Sequence, residues 1–401
     1  MMKTIVQKYG GTSVGSIERI QNVARRVIEK KEQGYRMVVV VSAMGKRTDE
    51  LVKMAYEINP HPPKREMDML LSTGEQVSIA ILTMALDSMG YDAISFTGHQ
   101  IGIRTMGHHG KSKIIDIDPT KIDQALDDGK IVIVAGFQGV NEKDDITTLG
   151  RGGSDTSAVA LSCVLGCPCE IYTDVDGIYG VDPRLYADAK KLDYVSFDEM
   201  LDMASLGAGI MHTRAIELGS KYNAEIYVAS SINDVPGTLI RKGRGEAEKE
   251  ITGMAVDRSE LMISIKNVPH ETNVTAKLFS SLAQKSVNVD MISQTSPVDG
   301  HINISFSAPI EEINALRSTI RDFRTEYPLI EVDINEDVTK LSVVGIGMKN
   351  HHGVASKYFS VLGHLDFPIL MITTSEIRIS CMIPTSAEQR AVEAVAKAFD
   401  L

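Results

Sequence analysis

Apolar and polar positions along residues 1–240 switch repeatedly between two periods. Short apolar runs fall at 4–8, 37–41, 131–135 and 170–174. Unbroken runs such as Met37-Val38-Val39-Val40-Val41 are those of strands covered on both faces. Between them, 16–33 carries Ile17, Ile20, Val23, Ala24, Val27 and Ile28 at helical spacing and stops at Gly34, a helix with a glycine terminus. Further helices are predicted over about 49–58 and 67–89. Strand–helix alternation continues to Ala229 and predicts an α/β layered domain with a mostly parallel sheet.

The pattern changes at 237–249, where Gly, Lys, Arg and Glu predominate and a linker is expected. Beyond it the chain matches itself at a constant offset of 80 residues: Leu261 with Leu341, Val274 with Val354, Lys277 with Lys357, Phe279-Ser280 with Phe359-Ser360, and Met291-Ile292 with Met371-Ile372. Each copy reads as a βαββαβ unit of about 70 residues, in the ferredoxin-like range. Asn273 and Gly353 occupy the same turn in the two copies, and both residue types accept a left-handed backbone. Asn288 of the first copy aligns with Pro368 of the second, so the first loop is expected to bind a small polar ligand better.

Two glycine-rich stretches carry candidate chemistry. Leu149-Gly150-Arg151-Gly152-Gly153-Ser154-Asp155-Thr156 ends a strand and opens a small-residue helix over 154–165. A helix N-terminus is an anion site, Arg151 adds a planar fork for a carboxylate or phosphate, and Asp155 suits an ammonium or a neighbouring lysine. Lys8-Tyr9-Gly10-Gly11-Thr12-Ser13 leads from the first strand into the first helix. It is not a GxxxxGK[ST] loop, because its lysine precedes the glycines, but glycine amides and an ammonium serve phosphate in the same way.

Composition narrows the class. The 401 residues call for two or three domains, and 43% hydrophobic with 24% charged residues is a globular balance. A net charge of −11 argues against a nucleic-acid surface. Cys163, Cys167 and Cys169 are read as reduced core thiols, with no metal site expected. The apolar start before Gln7-Lys8 is too short for a signal peptide and the apolar runs are strand-length, so a cytoplasmic protein without a membrane span is expected. The pairs His108-His109 and His351-His352 read as surface loops.

These motifs together resemble the aspartate kinases of the amino-acid kinase superfamily. The resemblance rests on 8–13, Ser42-Ala43-Met44-Gly45, Gly74-Glu75, 149–156, Thr173-Asp174-Val175-Asp176-Gly177-Ile178-Tyr179, Asp182-Pro183-Arg184 and 207–214, with the repeat similar to two regulatory ACT domains. It implies a three-layer αβα kinase domain over 1–240, a linker and start of the regulatory region over 241–260, and ACT domains over 261–337 and 338–401. By position it implies Lys8 and Asp155 as catalytic residues. Thr48, Glu75, Arg151, Gly152, Gly153 and Ser154 would surround L-aspartate. Lys8, Tyr9, Gly10, Gly11, Ser42, Thr173, Asp174, Tyr179, Asp182 and Arg184 would hold ATP, with Mg²⁺ held mainly by the nucleotide. Lysine, alone or with threonine, would bind near Asn288, Asp290, Gln294 and Ser375, and the ACT pair would self-associate. The implied activity is phosphorylation of the aspartate side-chain carboxylate, feedback-regulated, at the head of lysine, threonine and methionine biosynthesis.

Two departures matter. Gly209 stands where the family's motif carries a nucleotide-contacting lysine, which predicts ATP binding weaker by about 1–3 kcal/mol. Pro368 replaces a common Asn of that loop, which weakens the case for a second effector site. A glutamate or acetylglutamate kinase is one alternative, opposed by the tandem repeat. A catalytically weak amino-acid sensor is another, opposed by Lys8, Arg151 and Asp155.

Overall fold

The computed structural model describes residues 3–207, 211–243 and 249–401. Gly209 lies outside them. By internal packing the chain forms two units, one of residues 3–178, 191–204 and 211–243, the other of 179–190, 205–207 and 249–401.

The first unit is built on an eight-stranded sheet in the order 194–196, 238–241, 226–230, 169–173, 3–9, 35–41, 131–135, 93–96. All pairings are parallel except that of Ile226–Ser230 with Thr238–Arg241. Strand residues alternate between faces. Ile5, Tyr9, Met37, Val39, Val41, Ile131 and Ile133 face one way, onto Ile20, Val23 and Val27 of helix Ile17–Glu32 and Ile79, Leu82 and Leu86 of helix Lys64–Ser88. Helix Gly153–Leu165 packs on strands Lys3–Tyr9 and Tyr35–Val41 and against helix Thr213–Tyr222. Ser16 caps the first helix by accepting from the Arg19 amide, and Gly34 follows it at φ +90°, as the sequence implies. Helix Lys64–Ser88 is long and apolar enough to cross a membrane by length and composition, but Leu71, Ile79, Leu82 and Leu86 on it are core residues. A small second sheet, ordered 113–116, 104–106, 138–140, 146–148, ends at the glycine loop that opens helix Gly153–Leu165.

The second unit holds the two repeat copies. Copy one forms a four-stranded antiparallel sheet, 292–294, 301–309, 260–269, 331–335, covered by helices Val274–Gln284 and Ile313–Glu326. Copy two orders its sheet 253–257, 338–344, 378–384, 371–374. Strand Gly253–Asp257, from the stretch taken as linker and start of the regulatory region, is thus an edge strand of copy two. Met291, Val338, Met371 and Met382 form a small core of their own. Asn273 and Gly353 adopt φ +126° and +96°, so the two turns do share a left-handed residue. Segment 179–190 belongs to this unit: Val181 lies in its core and the Met254 amide donates to the Gly180 carbonyl at 2.6 Å.

Candidate active site

Strand Lys3–Tyr9 delivers its last residues to opposite faces of the sheet. Lys8 is on the side of helix Gly153–Leu165, and its Nζ lies 2.6 Å from Asp155 Oδ1 in the first turn of that helix. Both residues are more than nine-tenths buried. Tyr9 goes to the other face, fully buried, stacked on Tyr172 with ring centroids 5.0 Å apart and donating to Gln7. The Tyr9 side chain is thus turned away from Lys8, because alternation along a strand sends neighbours to opposite faces.

A cavity of about 300 Å³ opens at the carboxyl end of the sheet, where ligands bind in open α/β folds. Lys8, Gly11, Ser42, Ala43, Thr48, Glu75, Phe137 and the loop from Gly150 to Asp155 line it. The structure thus brings together Lys8, Gly11, Ser42, Thr48, Glu75, Arg151, Gly152, Gly153, Ser154 and Asp155, whose positions span residues 8 to 155. Gly10 is adjacent: a Cβ there would lie 3.5 Å from Lys8 Nζ. At Gly11 a side chain would come within 2.8 Å of the Ala43 carbonyl oxygen, so this turn needs glycine.

The cavity balances two cations, Lys8 and Arg151, against two carboxylates, Glu75 and Asp155. Glu75 is buried on helix Lys64–Ser88 and accepts from the Ala43 amide at 3.1 Å through Oε1, while its buried Oε2 has no hydrogen-bond partner among the described residues. Burial pushes the Glu75 carboxyl up to about 7, against the opposing pull of its backbone hydrogen bonds. Such an acceptor is satisfied by a cationic or protonated ligand. Helix Gly153–Leu165 starts with Gly152 at φ +65° and no side-chain cap, so its dipole and first amides serve a bound anion.

Thr173 ends the neighbouring strand Cys169–Thr173, and Asp174 follows it. The Gly10 amide donates to the Tyr172 carbonyl at 3.1 Å, which places them beside the Lys8–Gly11 turn, and the Ser231 amide donates to the Thr173 carbonyl at 2.8 Å. In the second unit, Arg184 binds Asp182 bidentately at 2.6–3.1 Å and lowers its carboxyl below the usual range. Tyr179 belongs to the same segment. Among the expected effector residues, Asn288 holds Glu312 through its amide and side chain at 2.6 and 3.0 Å, Asp290 pairs with Lys340 at 2.9 Å, and Gln294 accepts from Thr275. Ser375 follows strand Met371–Thr374, which lies beside strand Ile292–Gln294.

Sequence reasoning missed Ser13, bonded to Ser231 at 2.7 Å, and the supports of the glycine loop, Asp68, His109, His212 and Arg214. One signal was available: Asp68, Leu71, Ser72, Glu75 and Ile79 share one helix face, and two carboxylates on an apolar stripe need partners or a ligand.

A mostly parallel sheet with a glycine turn beside a lysine and a charge-balanced pocket at its carboxyl edge is the architecture of an open α/β protein that binds small charged ligands. The family model for the amino acid kinase family matches residues 3–230, and that for the ACT domain matches 262–316 and 341–399. The chain is 45% identical to Aspartokinase 2 of Bacillus subtilis over all of this chain and 98% of that protein. It is 42% identical to an aspartokinase of Thermus thermophilus over 100% and 99%. The aspartate kinase structure from Synechocystis is 39% identical, covers 99% of this chain and 69% of its own, and superposes with a TM-score of 0.55. E. coli aspartokinase III in complex with aspartate and ADP shares the fold over both full chains, with a TM-score of 0.82 at 23% identity. The chain belongs to the aspartokinases.

Proposed function

We infer that the cavity binds L-aspartate and that the enzyme transfers the γ-phosphoryl group of ATP to its side-chain carboxylate. The observation that carries this reading is Glu75, whose buried Oε2 has no hydrogen-bond partner among the described residues, in the lining of a pocket that also holds Lys8 and Arg151. An amino acid with two carboxylates and one ammonium matches that arrangement. Arg151 clamps the α-carboxylate, and Glu75, with Thr48 and Ser154 alongside, takes the ammonium.

The attacking oxygen belongs to a carboxylate with a reference pKa of about 3.9, ionised at neutral pH, so no general base is needed. The carboxylate oxygen bonds to phosphorus as the β–γ bridge breaks, leaving ADP and an acyl phosphate. Catalysis is then positioning and charge stabilisation. Lys8 stabilises the transferring group, held in place by Asp155. Gly10, Gly11, Ser42, Thr173 and Asp174, all of the first unit, serve the nucleotide. Mg²⁺ would be held mainly by the nucleotide's phosphates. When bound, that ion would supply charge neutralisation for the transferring phosphates.

The regulatory copies take lysine, alone or with threonine, near Asn288, Asp290, Gln294 and Ser375. An aspartokinase III structure in complex with lysine and aspartate supports such regulation in a protein of this fold. Self-association through the ACT sheets, whose edge strands Ile292–Gln294 and Met371–Thr374 expose Ile292 and Ile372, and a cytoplasmic location complete the reading.

Hydroxylamine trapping tests it. Mg·ATP with aspartate yields hydroxamate, whereas glutamate or no acceptor yields none, and added lysine lowers the yield. Hydroxamate with glutamate alone, or none with any acceptor, sinks the assignment.

A further inference from the structure

The loop that carries Arg151 is held from two sides by residues outside the cavity lining. On one side stands Asp68, fully buried on helix Lys64–Ser88. Its Oδ2 accepts from the Thr148 amide at 3.0 Å, the Gly110 amide at 3.0 Å and His109 Nδ1 at 2.8 Å, and its Oδ1 accepts from the Thr148 hydroxyl at 2.6 Å. An acceptor carboxylate requires the His109 proton on Nδ1. Asp68 thereby joins the end of strand Ile146–Thr148, which leads into the loop, to the His108-His109-Gly110 turn. That turn reaches the loop itself, since a Cβ on Gly150 would lie 2.9 Å from the Gly110 carbonyl oxygen.

On the other side Arg214 Nη1 donates to the Leu149 carbonyl at 2.9 Å and approaches the Ser112 carbonyl at 3.5 Å. The Ser112 amide in turn donates to the Thr148 carbonyl at 3.0 Å. Both residues that precede Gly150 are thus fixed by charged side chains, and Arg151 is solvent-exposed. The backbone of the glycine loop sets where the Arg151 side chain begins and so which positions its guanidinium can reach. A displacement of the order of 1 Å there suffices to lose a bidentate contact.

We propose that Asp68, His109 and Arg214 are positioning residues that fix the pose of Arg151 and so set affinity for the substrate's α-carboxylate. The proposal rests on the reading of this cavity as the aspartate site. The three groups act on one substrate and not on the nucleotide.

The test uses the full-length chain and the variants His109→Leu, His109→Asn, Arg214→Leu and Asp68→Ala. It combines calorimetric titration with L-aspartate, kinetics in both substrates and thermal unfolding. In His109→Leu and Arg214→Leu the KM for aspartate and its dissociation constant rise about tenfold, with the KM for ATP unchanged and kcat within about threefold. His109→Asn, whose amide supplies a donor in place of Nδ1–H, stays within about twofold of the parent enzyme. Asp68→Ala shows the largest rise. Folded Leu variants with unchanged aspartate affinity overturn the proposal. So does a parallel rise in both KM values with a lowered Tm, the signature of a merely structural role. A parent enzyme that binds no aspartate overturns the functional reading instead.

Discussion

Lys340 and Glu260 occupy the same position of the two regulatory copies, one repeat length apart, and bond to each other at 3.1 Å. Equivalent positions that touch lie at the local two-fold axis of a repeat, here as an opposite-charge pair. Lys340 is almost wholly buried and also approaches Asp290 at 2.9 Å and Asp257 at 3.7 Å. Burial pulls its ammonium down, but Glu260, Asp290 and Asp257 outweigh that and hold it above the usual lysine range. The same lysine therefore joins the two sheets and restrains Asp290, one of the expected effector residues. Lys340→Met leaves these carboxylates without their cation and lowers stability by about 3–5 kcal/mol, whereas the Lys340→Met/Glu260→Gln double variant loses less than the sum of the single changes. Urea unfolding of the four proteins measures the coupling, and strict additivity would remove the pair from the account.

Lys8 stands at the point where charge develops during transfer. Lys8→Met removes that ammonium and strands Asp155, so kcat falls by about 10²–10³, with aspartate binding reduced less. Hydroxamate formation at saturating substrates reports the loss. A rate within a factor of a few of the parent value would place the stabilising charge elsewhere.

Glu75 yields a prediction in pH. Its carboxyl sits at about 7 in the empty fold, against a reference value of 4.5. A carboxyl raised on folding contributes stability that is fully present below the unfolded pKa and is lost as pH rises through the folded one. The empty enzyme thus loses about 2–3 kcal/mol between pH 4.5 and 8 from this group alone. Glu75→Gln flattens that slope and is the more stable protein at pH 8. Binding runs the other way, because the ionised carboxylate takes the substrate ammonium. The KM for aspartate accordingly rises as pH falls below about 7 in the parent enzyme, and Glu75→Gln has a high KM without that dependence. Thermal unfolding and initial rates across this range check both signs.

How much of this was legible follows from the reach of each signal. The β-branched run at 37–41 and the spacing of Ile20, Val23 and Val27 are local and strong, and they appear as the core of the first unit. The offset of 80 residues exposed the paired copies, and Asn273 with Gly353 even showed a shared turn. Strands of three residues, such as Arg104–Met106 and Ile146–Thr148, are too short for any period to register, so the small sheet was missed, and with it the setting of His109. That residue read as half of a surface histidine pair because its partner, Asp68, is 41 residues away in sequence. Thr238–Arg241 and Gly253–Asp257 lay in a stretch whose Gly and charge content reads as a linker, although sheets in both units recruit them. Segment 179–190 packs with the second unit through Val181, Leu185 and Tyr186, a long-range choice that no local pattern encodes. In the site, the glycine loops were legible because unusual backbone needs unusual residues. The side chains that hold those loops were not, since Arg214 and Asp68 are ordinary helix residues until the fold brings carbonyls and amides to them.

Gly152 combines the two constraints that a single methyl group would violate. Its φ of +65° lies in the left-handed region, which costs an L-residue about 1 kcal/mol or more, and an added Cβ would run into the His212 side chain. His212 is itself fixed, because its ring accepts from the Arg214 amide at the start of helix Thr213–Tyr222. A loop displaced by this collision carries Arg151 and the start of helix Gly153–Leu165 with it. Gly152→Ala therefore lowers both stability and aspartate affinity. Removing the obstruction with His212→Gly in the same chain recovers only part of the affinity, because the backbone strain at residue 152 remains. Calorimetric titration of the single and double variants separates the two contributions: full recovery would assign the whole effect to the collision, and none would assign it to the backbone.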